Sequence, residues 1–462
     1  MNKERLKSVV LIILVAFNFV LGNRILTDKK LWPSGYNFFI TSEKGFLHSL
    51  FSSEAEEESK QLHLTAPTQI IVNTGDQTTR FVVNPDSEQF EPLFTYISET
   101  VTSAFRSGAE NVFSVSLQDW YSVLNGKSVY FMYPFAYPST LYAQFLGIET
   151  ANLPIESVCR FAVTTSGNAN VYLEDYKSGK VYRIETKENA EPISALLSRI
   201  QSSNSSDSPI INYSFDLRFD QTLGSQKIVL APTVPVYTVS PKTPRISAKN
   251  PLSDIDRETV EAILLAFRMN PGGVREYPEV SGTRVFVDNA GILKISPDGL
   301  LTYQSTRSEG LSLSAGASQA EAISAAADFG YRITSICQAE RSIYLSGIPG
   351  ADTPNISFDY CTKGIPVLFE DERSPHAIEI QLENGALKSY TQRLRTYQPI
   401  YMQTAPGYIE TLDKAIASYA EAMNEVKIQN IYLSYTDRPK ASELSADWYV
   451  EVENIIVEEE EQ

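Results

Sequence analysis

The chain opens MNKERLKSVVLIILVAFNFVLGNRILTDKKLW, and the apolar run from Val9 to Leu21 constrains everything that follows. Behind a short basic tail, such a run is either a secretory signal that is removed or a helix that stays in the bilayer. Under both readings the bulk of the chain folds beyond the membrane. Sixteen uncharged residues separate Lys7 from Arg24, about 24 Å of helix at about 1.5 Å per residue. Extension through Ile25 and Leu26, with Lys7 and Arg24 reaching outward, brings the segment near the roughly 30 Å of a hydrocarbon core. Val20-Leu21-Gly22 is a poor cleavage site, and Lys29, Lys30 and Trp32 stand where a retained helix keeps its interface anchors. Lys3, Arg5 and Lys7 before the run are balanced by Arg24, Lys29 and Lys30 after it, so charge counting does not orient the helix. A short cytoplasmic tail and a large exported part are expected, because long domains translocate largely regardless of charge.

Asn18 lies on the same side of this helix as Leu11, Leu14, Val15, Gly22 and Ile25. An amide in hydrocarbon gains roughly 0.5–2 kcal/mol by hydrogen bonding to another helix. These six residues form the candidate helix–helix contact, unless Asn18 is an amide tolerated near the interface.

Length and charge narrow the rest. With 462 residues, 43% of them apolar, the chain holds about two to four domains and ample core. A net charge of −17 repels phosphate backbones, so nucleic acid is excluded as a partner. The one dense acidic run, Glu458 to Glu461, reads as a solvated tail. Cys159, Cys337 and Cys361 are the only cysteines; Cys337 in RITSICQAE and Cys361 in ISFDYCTKG, both stretches read as strands, either pair or stay as buried free thiols.

Along the chain, QIIVNTGDQTTRFVV reads as a hairpin, and a helix from Ser87 carries Phe90, Leu93, Phe94, Ile97, Val101 and Phe105 on one stripe. A short helix stopped at Gly126 precedes a very apolar strand, Val129 to Phe135, and a further helix near Pro138. VCRFAVTT and NVYLEDYKSGKVYRIET continue as strands, and EPISALLSRIQ as a helix. Ser202 to Pro209 is a linker by composition. INYSFDLRFD and KIVLAPTVPVYTVSP then read as strands, and ETVEAILLAFRM as an amphipathic helix. Two hairpins, ILKISPDGLLTY and IEIQLENGALKSY, resemble one another, the first preceded by a helix from Glu258 to Met269 and the second by a helix from Ala317 to Gly330 and a longer strand region.

Chemistry-bearing patterns are sparse. Three histidines, His48, His63 and His376, show no zinc spacing, and no P-loop, G-x-S-x-G or dinucleotide fingerprint occurs. No cofactor or metal is expected. Glu370, Asp371 and Glu372 offer carboxylates for a hydrolase or sit in a solvated loop. The aromatics Tyr130, Phe131, Tyr133, Phe135 and Tyr137 line a groove or fill a core.

The opening KERLKSVVLIILVAFNFVLG, the length, the hairpins ISPDGLLTY and IQLENGALKSY, and the ending SADWYVEVEN together resemble the YycH family and its shorter YycI relatives. The resemblance covers most of the chain and rests on no single specific motif. It implies a non-enzymatic, single-pass accessory protein of a WalK (YycG) sensor histidine kinase in the control of cell-wall metabolism, with a YycI-like protein as second partner. It also implies an α+β fold: a tail and membrane helix over 1–30, then three α+β domains of antiparallel sheets with packed helices over 31–205, 206–315 and 316–462, the last two alike. A wall-associated hydrolase and a secreted ligand-binding module are the alternatives.

Overall fold

The computed structural model describes residues 64–453 except 65, 77–79, 86, 149–152, 204–210, 218–219, 224–225, 307–317, 341, 351–353 and 421–424. They fall within the unit Lys60–Gln462 and include eight helices, in a mixed α+β arrangement.

β1 (Gln69–Thr74) and β2 (Phe81–Val83) form the first expected hairpin, followed by α1 (Phe90–Arg106). β3 (Val112–Val115), α2 (Leu117–Asn125), β4 (Lys127–Pro138), α3 (Ser139–Phe145), β5 (Ser157–Thr164), β6 (Val171–Asp175), β7 (Val181–Ile184) and α4 (Glu191–Ser203) complete the first region. The strands make an antiparallel sheet in the order β2-β1-β4-β5-β6-β7-β3. Successive side chains on a strand point to opposite faces, and the cross-strand register sorts them cleanly. Ile71, Tyr130, Ala162 and Tyr172 align on one face under Trp120 and Leu124 of α2. Ile70, Phe131, Phe161 and Leu173 align on the other face, in the core that also holds Ile97 of α1 and Ile193 of α4. Burial on both faces is why β4 is apolar without alternation. α2 begins at a capping box in which Ser116 and Asp119 satisfy each other's backbone N–H groups.

INYSFDLRFD is not one strand. It divides into β8 (Ile211–Tyr213), α5 (Ser214–Leu217) and the start of β9 (Asp220–Leu223). The chain turns there because Phe215 stacks on Tyr121 at 4.3 Å and Asp216 pairs with Arg80 at 2.8 Å. β10 (Gln226–Leu230), β11 (Pro235–Tyr237) and β12 (Lys242–Lys249) follow.

Two helix-and-four-strand units come next. α6 (Arg257–Ala266) leads into β13 (Arg275–Pro278), β14 (Arg284–Val287), β15 (Gly291–Ile295) and β16 (Leu300–Ser305). α7 (Gln319–Ile336) leads into β17 (Ile343–Gly347), β18 (Asn355–Thr362), β20 (Ile378–Glu383) and β21 (Ala386–Arg393), with β19 (Ile365–Phe369) inserted after β18. Neighbours in the two meanders, β13-β14-β15-β16 and β17-β18-β20-β21, pair antiparallel. The units meet at their last strands, β16 against β21, with Tyr303 opposite Tyr390. Phe267, capping α6, lies 4.6 Å from Tyr303, 5.2 Å from Phe329 of α7 and 5.5 Å from Tyr390, so both helices share one aromatic core. At the second hairpin turn Asn384 and Gly385 both have positive φ, 53° and 76°, the conformation a tight two-residue hairpin demands.

α7 runs through RITSI, which the sequence reading assigned to a strand. Ala326, Phe329, Gly330 and Ile333 keep the three-to-four spacing of its buried face, so the helix does not stop at Gly330. Cys337 therefore caps a helix while Cys361 lies on β18, and all three cysteines are buried thiols outside any disulfide.

β22 (Thr396–Thr404), α8 (Tyr408–Ala420), β23 (Glu425–Asp437), β24 (Glu443–Leu444) and β25 (Ala446–Glu453) end the described chain. β23 pairs parallel with both β19 and β10, an exception to the antiparallel sheets expected. Parallel pairing needs a crossover, and the long excursion from β19 through α8 supplies one. The resulting sheet holds thirteen strands drawn from 220–453.

Candidate functional site

The expected contact face, Leu11, Leu14, Val15, Asn18, Gly22 and Ile25, lies outside the described residues. Among the described residues, no helix is long and apolar enough to cross a membrane. The aromatics of β4 are core: Tyr130, Phe131, Tyr133 and Tyr137 are buried, and only Phe135 is partly exposed.

His376, between β19 and β20, sits in a cluster of polar side chains. Its Nδ1 is 2.9 Å from Asp359 Oδ2 and 3.3 Å from Ser346 Oγ, while Asp359 Oδ1 accepts the Ala377 N–H at 2.8 Å. Ser346 is the extra residue of a bulge between β17 and β18, which aims it there. Burial lowers the affinity of the imidazole for its proton, but the Asp359 hydrogen bond and charge outweigh that, and the net pKa is raised. Neighbouring Glu379 is also raised, by burial, with His376 opposing. A serine, a histidine and an aspartate meet here, yet not as a proton relay. A relay puts the serine on one ring nitrogen and the carboxylate on the other, and here both reach Nδ1. The set is a polar fastening of β17, β18 and β20.

In the acidic run 370–372, Glu370 and Asp371 are also occupied structurally. Glu370 pairs with Arg438 at 2.7 Å on the surface. Asp371 binds Arg373 at 2.8 Å and the buried Arg393, and the Arg373 hydrogen bond leads the effects holding its carboxyl below the usual range. Asp298, at the first hairpin turn, joins the same cluster through Arg373 at 2.6 Å and Arg393 at 3.4 Å, and its pKa is lowered although burial acts against this. A general acid needs a raised pKa; these carboxylates are anchored the other way. The cluster ties the turn of the first unit to the second.

The first sheet is held to the thirteen-stranded sheet by Arg160. This residue is 4% exposed on β5. It donates to Thr233 Oγ1 at 3.1 Å and to the Gln429 carbonyl at 2.6 Å, with Glu174 at 3.8 Å. Gln429 is the bulged residue of β23, where the ladder to β25 slips, and its carbonyl accepts from Arg160. Burial raises the pKa of Glu451 on β25, with Arg160 opposing. Arg80 performs a similar task, bonding Asp216 and Asn125 and lying 4.6 Å over the Tyr213 ring. Sequence reasoning missed Arg160, although a charged residue inside the apolar strand VCRFAVTT is itself a signal, since arginine is rarely buried without partners.

Fold and polar architecture together define a class: an α+β protein with two like helix-and-four-strand units in one sheet, whose buried charges fasten sheets together. No protein-family profile and no curated protein sequence matches the chain. The fold is similar to that of the crystal structure of YycH from Bacillus subtilis, with a TM-score of 0.56 and 15% sequence identity, over 86% of this chain and 95% of that one.

Proposed function

We propose that this chain is a membrane-anchored, extracytoplasmic regulator of a two-component sensor histidine kinase that controls cell-wall metabolism. The observation that carries the reading is the fold likeness to YycH over nearly the whole of both chains. The N-terminal apolar run with its interface anchors supports it, because a regulator of a membrane kinase needs an anchor beside it. So do the clusters at His376 and Asp371, whose geometry suits fastening and not catalysis. In this proposal residues 1–30 form the tail and membrane helix, and 31–205, 206–315 and 316–462 are three exported domains, the last two arising by duplication. The partners are a kinase of the WalK (YycG) type and a YycI-like protein. The exported domains set the position or tilt of the helix, whose Asn18 face biases a two-state kinase; a few kcal/mol suffices.

Two measurements test this. Mass spectrometry of the membrane-extracted protein is expected to find the helix retained; a mature N-terminus near Asn23 overturns the anchored regulator. Replacing Asn18 and Gly22 by Leu is expected to weaken co-purification with the kinase and alter its output. If a wholly foreign membrane helix regulates equally well, the helix contact is wrong and the exported domains carry the interaction.

A further inference from the structure

β22 is an edge. In the small sheet β22-β12-β24 it pairs with β12 on one side and with no described strand on the other. Its nine residues, TYQPIYMQT, include no charged side chain, in a chain of net charge −17. A strand lying on a core alternates buried and exposed residues, yet Gln398, Pro399, Ile400, Tyr401 and Met402 are exposed in succession. β12 is anchored in the core through Ile246 and Ala248, and it is the outer stretch of β22 that stands off the body, with Ile400 47%, Tyr401 53% and Met402 61% exposed. At its end the Ala405 N–H bonds the Pro241 carbonyl at 2.9 Å and Ser240 Oγ bonds the Pro406 carbonyl at 3.2 Å. Those bonds join the two chain segments that expose Val239 and Ile409 just beyond the ribbon. Natural edges are blunted by lysines, inward charges or short length. Here the blunting is confined to Pro399 and one bulge, opposite Arg245 and Ile246.

We infer that β22 is a docking edge that takes an extended, alternately apolar strand of the exported part of the kinase, by backbone pairing; this rests on the regulatory reading above. A row of edge N–H and C=O groups is matched by another backbone, with side chains at alternate positions giving specificity. Hydrocarbon leaves those groups unpaired. A second copy brings two chains of net charge −17 together, and their fields oppose encounter. A neutral or cationic strand meets no such barrier on an uncharged edge.

The test uses the full-length chain and the full-length kinase in detergent, with hydrogen exchange followed at 396–404 and the pair Ile400→Lys with Met402→Lys as the edge-blocking variant. Exchange over 396–404 is expected to slow at least tenfold in the complex. The variant is expected to bind the kinase at least tenfold more weakly with an unchanged melting temperature, since both side chains are exposed. If the wild-type complex forms but these amides exchange as before and the variant binds equally, the docking edge is overturned and the regulatory reading stands. If the wild-type chain does not bind the kinase, the regulatory reading fails and takes this assignment with it. Slow exchange in the isolated chain also overturns it: concentration-dependent protection assigns the edge to a second copy, and concentration-independent protection to the chain itself.

Discussion

Replacing Asp437 by Asn tests how the last long strand is held. Asp437 ends β23 with no exposed side-chain surface, and Arg395, on the link from β21 to β22, is 4% exposed at its side chain. The carboxylate accepts from Arg395 Nε at 3.0 Å and from the Tyr397 hydroxyl at 2.8 Å. Arg395 Nη2 also donates to the carbonyls of Arg438 and Pro439, at 3.2 Å each. Burial raises the pKa of Asp437, with Arg395 and Tyr397 opposing, so the ionised form depends on these partners. Asp437→Asn keeps the shape, removes the charge, and leaves Arg395 buried without its counter-ion. Breaking a buried pair at one partner costs about 3–5 kcal/mol, and the two remaining carbonyls place the expected loss near the lower bound. Tyr397→Phe removes one hydrogen bond to a charged acceptor, about 1.5–3 kcal/mol. The double change Arg395→Met with Asp437→Leu removes both charges and is expected to cost much less than Asp437→Asn alone. Urea unfolding followed by tryptophan fluorescence measures all three, since Trp448 is buried on β25 beside β23. If Asp437→Asn stays within about 0.5 kcal/mol of wild type, the range of an unremarkable surface change, the pair does not hold β23 and the reasoning fails.

Two further outcomes concern protons and thiols. The raised pKa of His376 means that its contribution to stability is fully present below about pH 6.5, its unfolded value, and is lost as pH rises through the folded value. The melting-temperature gap between wild type and His376→Gln is therefore expected to be wider at about pH 5.5 than at about pH 8.5; a gap independent of pH refutes the Asp359 pairing. Burial pushes the Cys159 thiol up to about 11 and the Cys337 thiol up to about 12, and Cys361 is buried as well. At neutral pH a disulfide reagent is expected to leave the native protein unlabelled and to modify all three cysteines after denaturation. Rapid labelling of the native chain contradicts this burial.

Most elements were legible because their signals are local. The stripe from Phe90 to Phe105 is the buried face of α1, Gly126 ends α2, and Ser178-Gly179 lies between β6 and β7. β3 escaped notice because Phe113 and Ser114 are exposed and its short stretch lacks a clear alternation. The strand assigned to RITSICQAE failed because β-branched residues suggested extended chain, and the packing of Ile333 into the helix core outweighed that propensity. The likeness of the two hairpins was visible in Leu301, Tyr303, Leu387 and Tyr390. Their juxtaposition across one ladder was not.

By itself, then, the sequence determined the α+β class, most of the strands and helices, the apolar N-terminal run, and the absence of familiar catalytic spacings; it did not mark β12, β17, β19 or β22. Periodicity, turn residues and caps act within a few positions, so they can be read in order along the chain. Only the tertiary structure decided that β16 meets β21, that β23 runs parallel to β19 and β10, that Arg160 reaches Gln429, and that β22 is left with an open edge. Backbone hydrogen bonds are the same in every strand, and many alternating strands are compatible partners for one another. The choice among them is made by side chains brought together from distant parts of the chain: Tyr303 against Tyr390, Asp437 against Arg395, and Arg160 between two sheets.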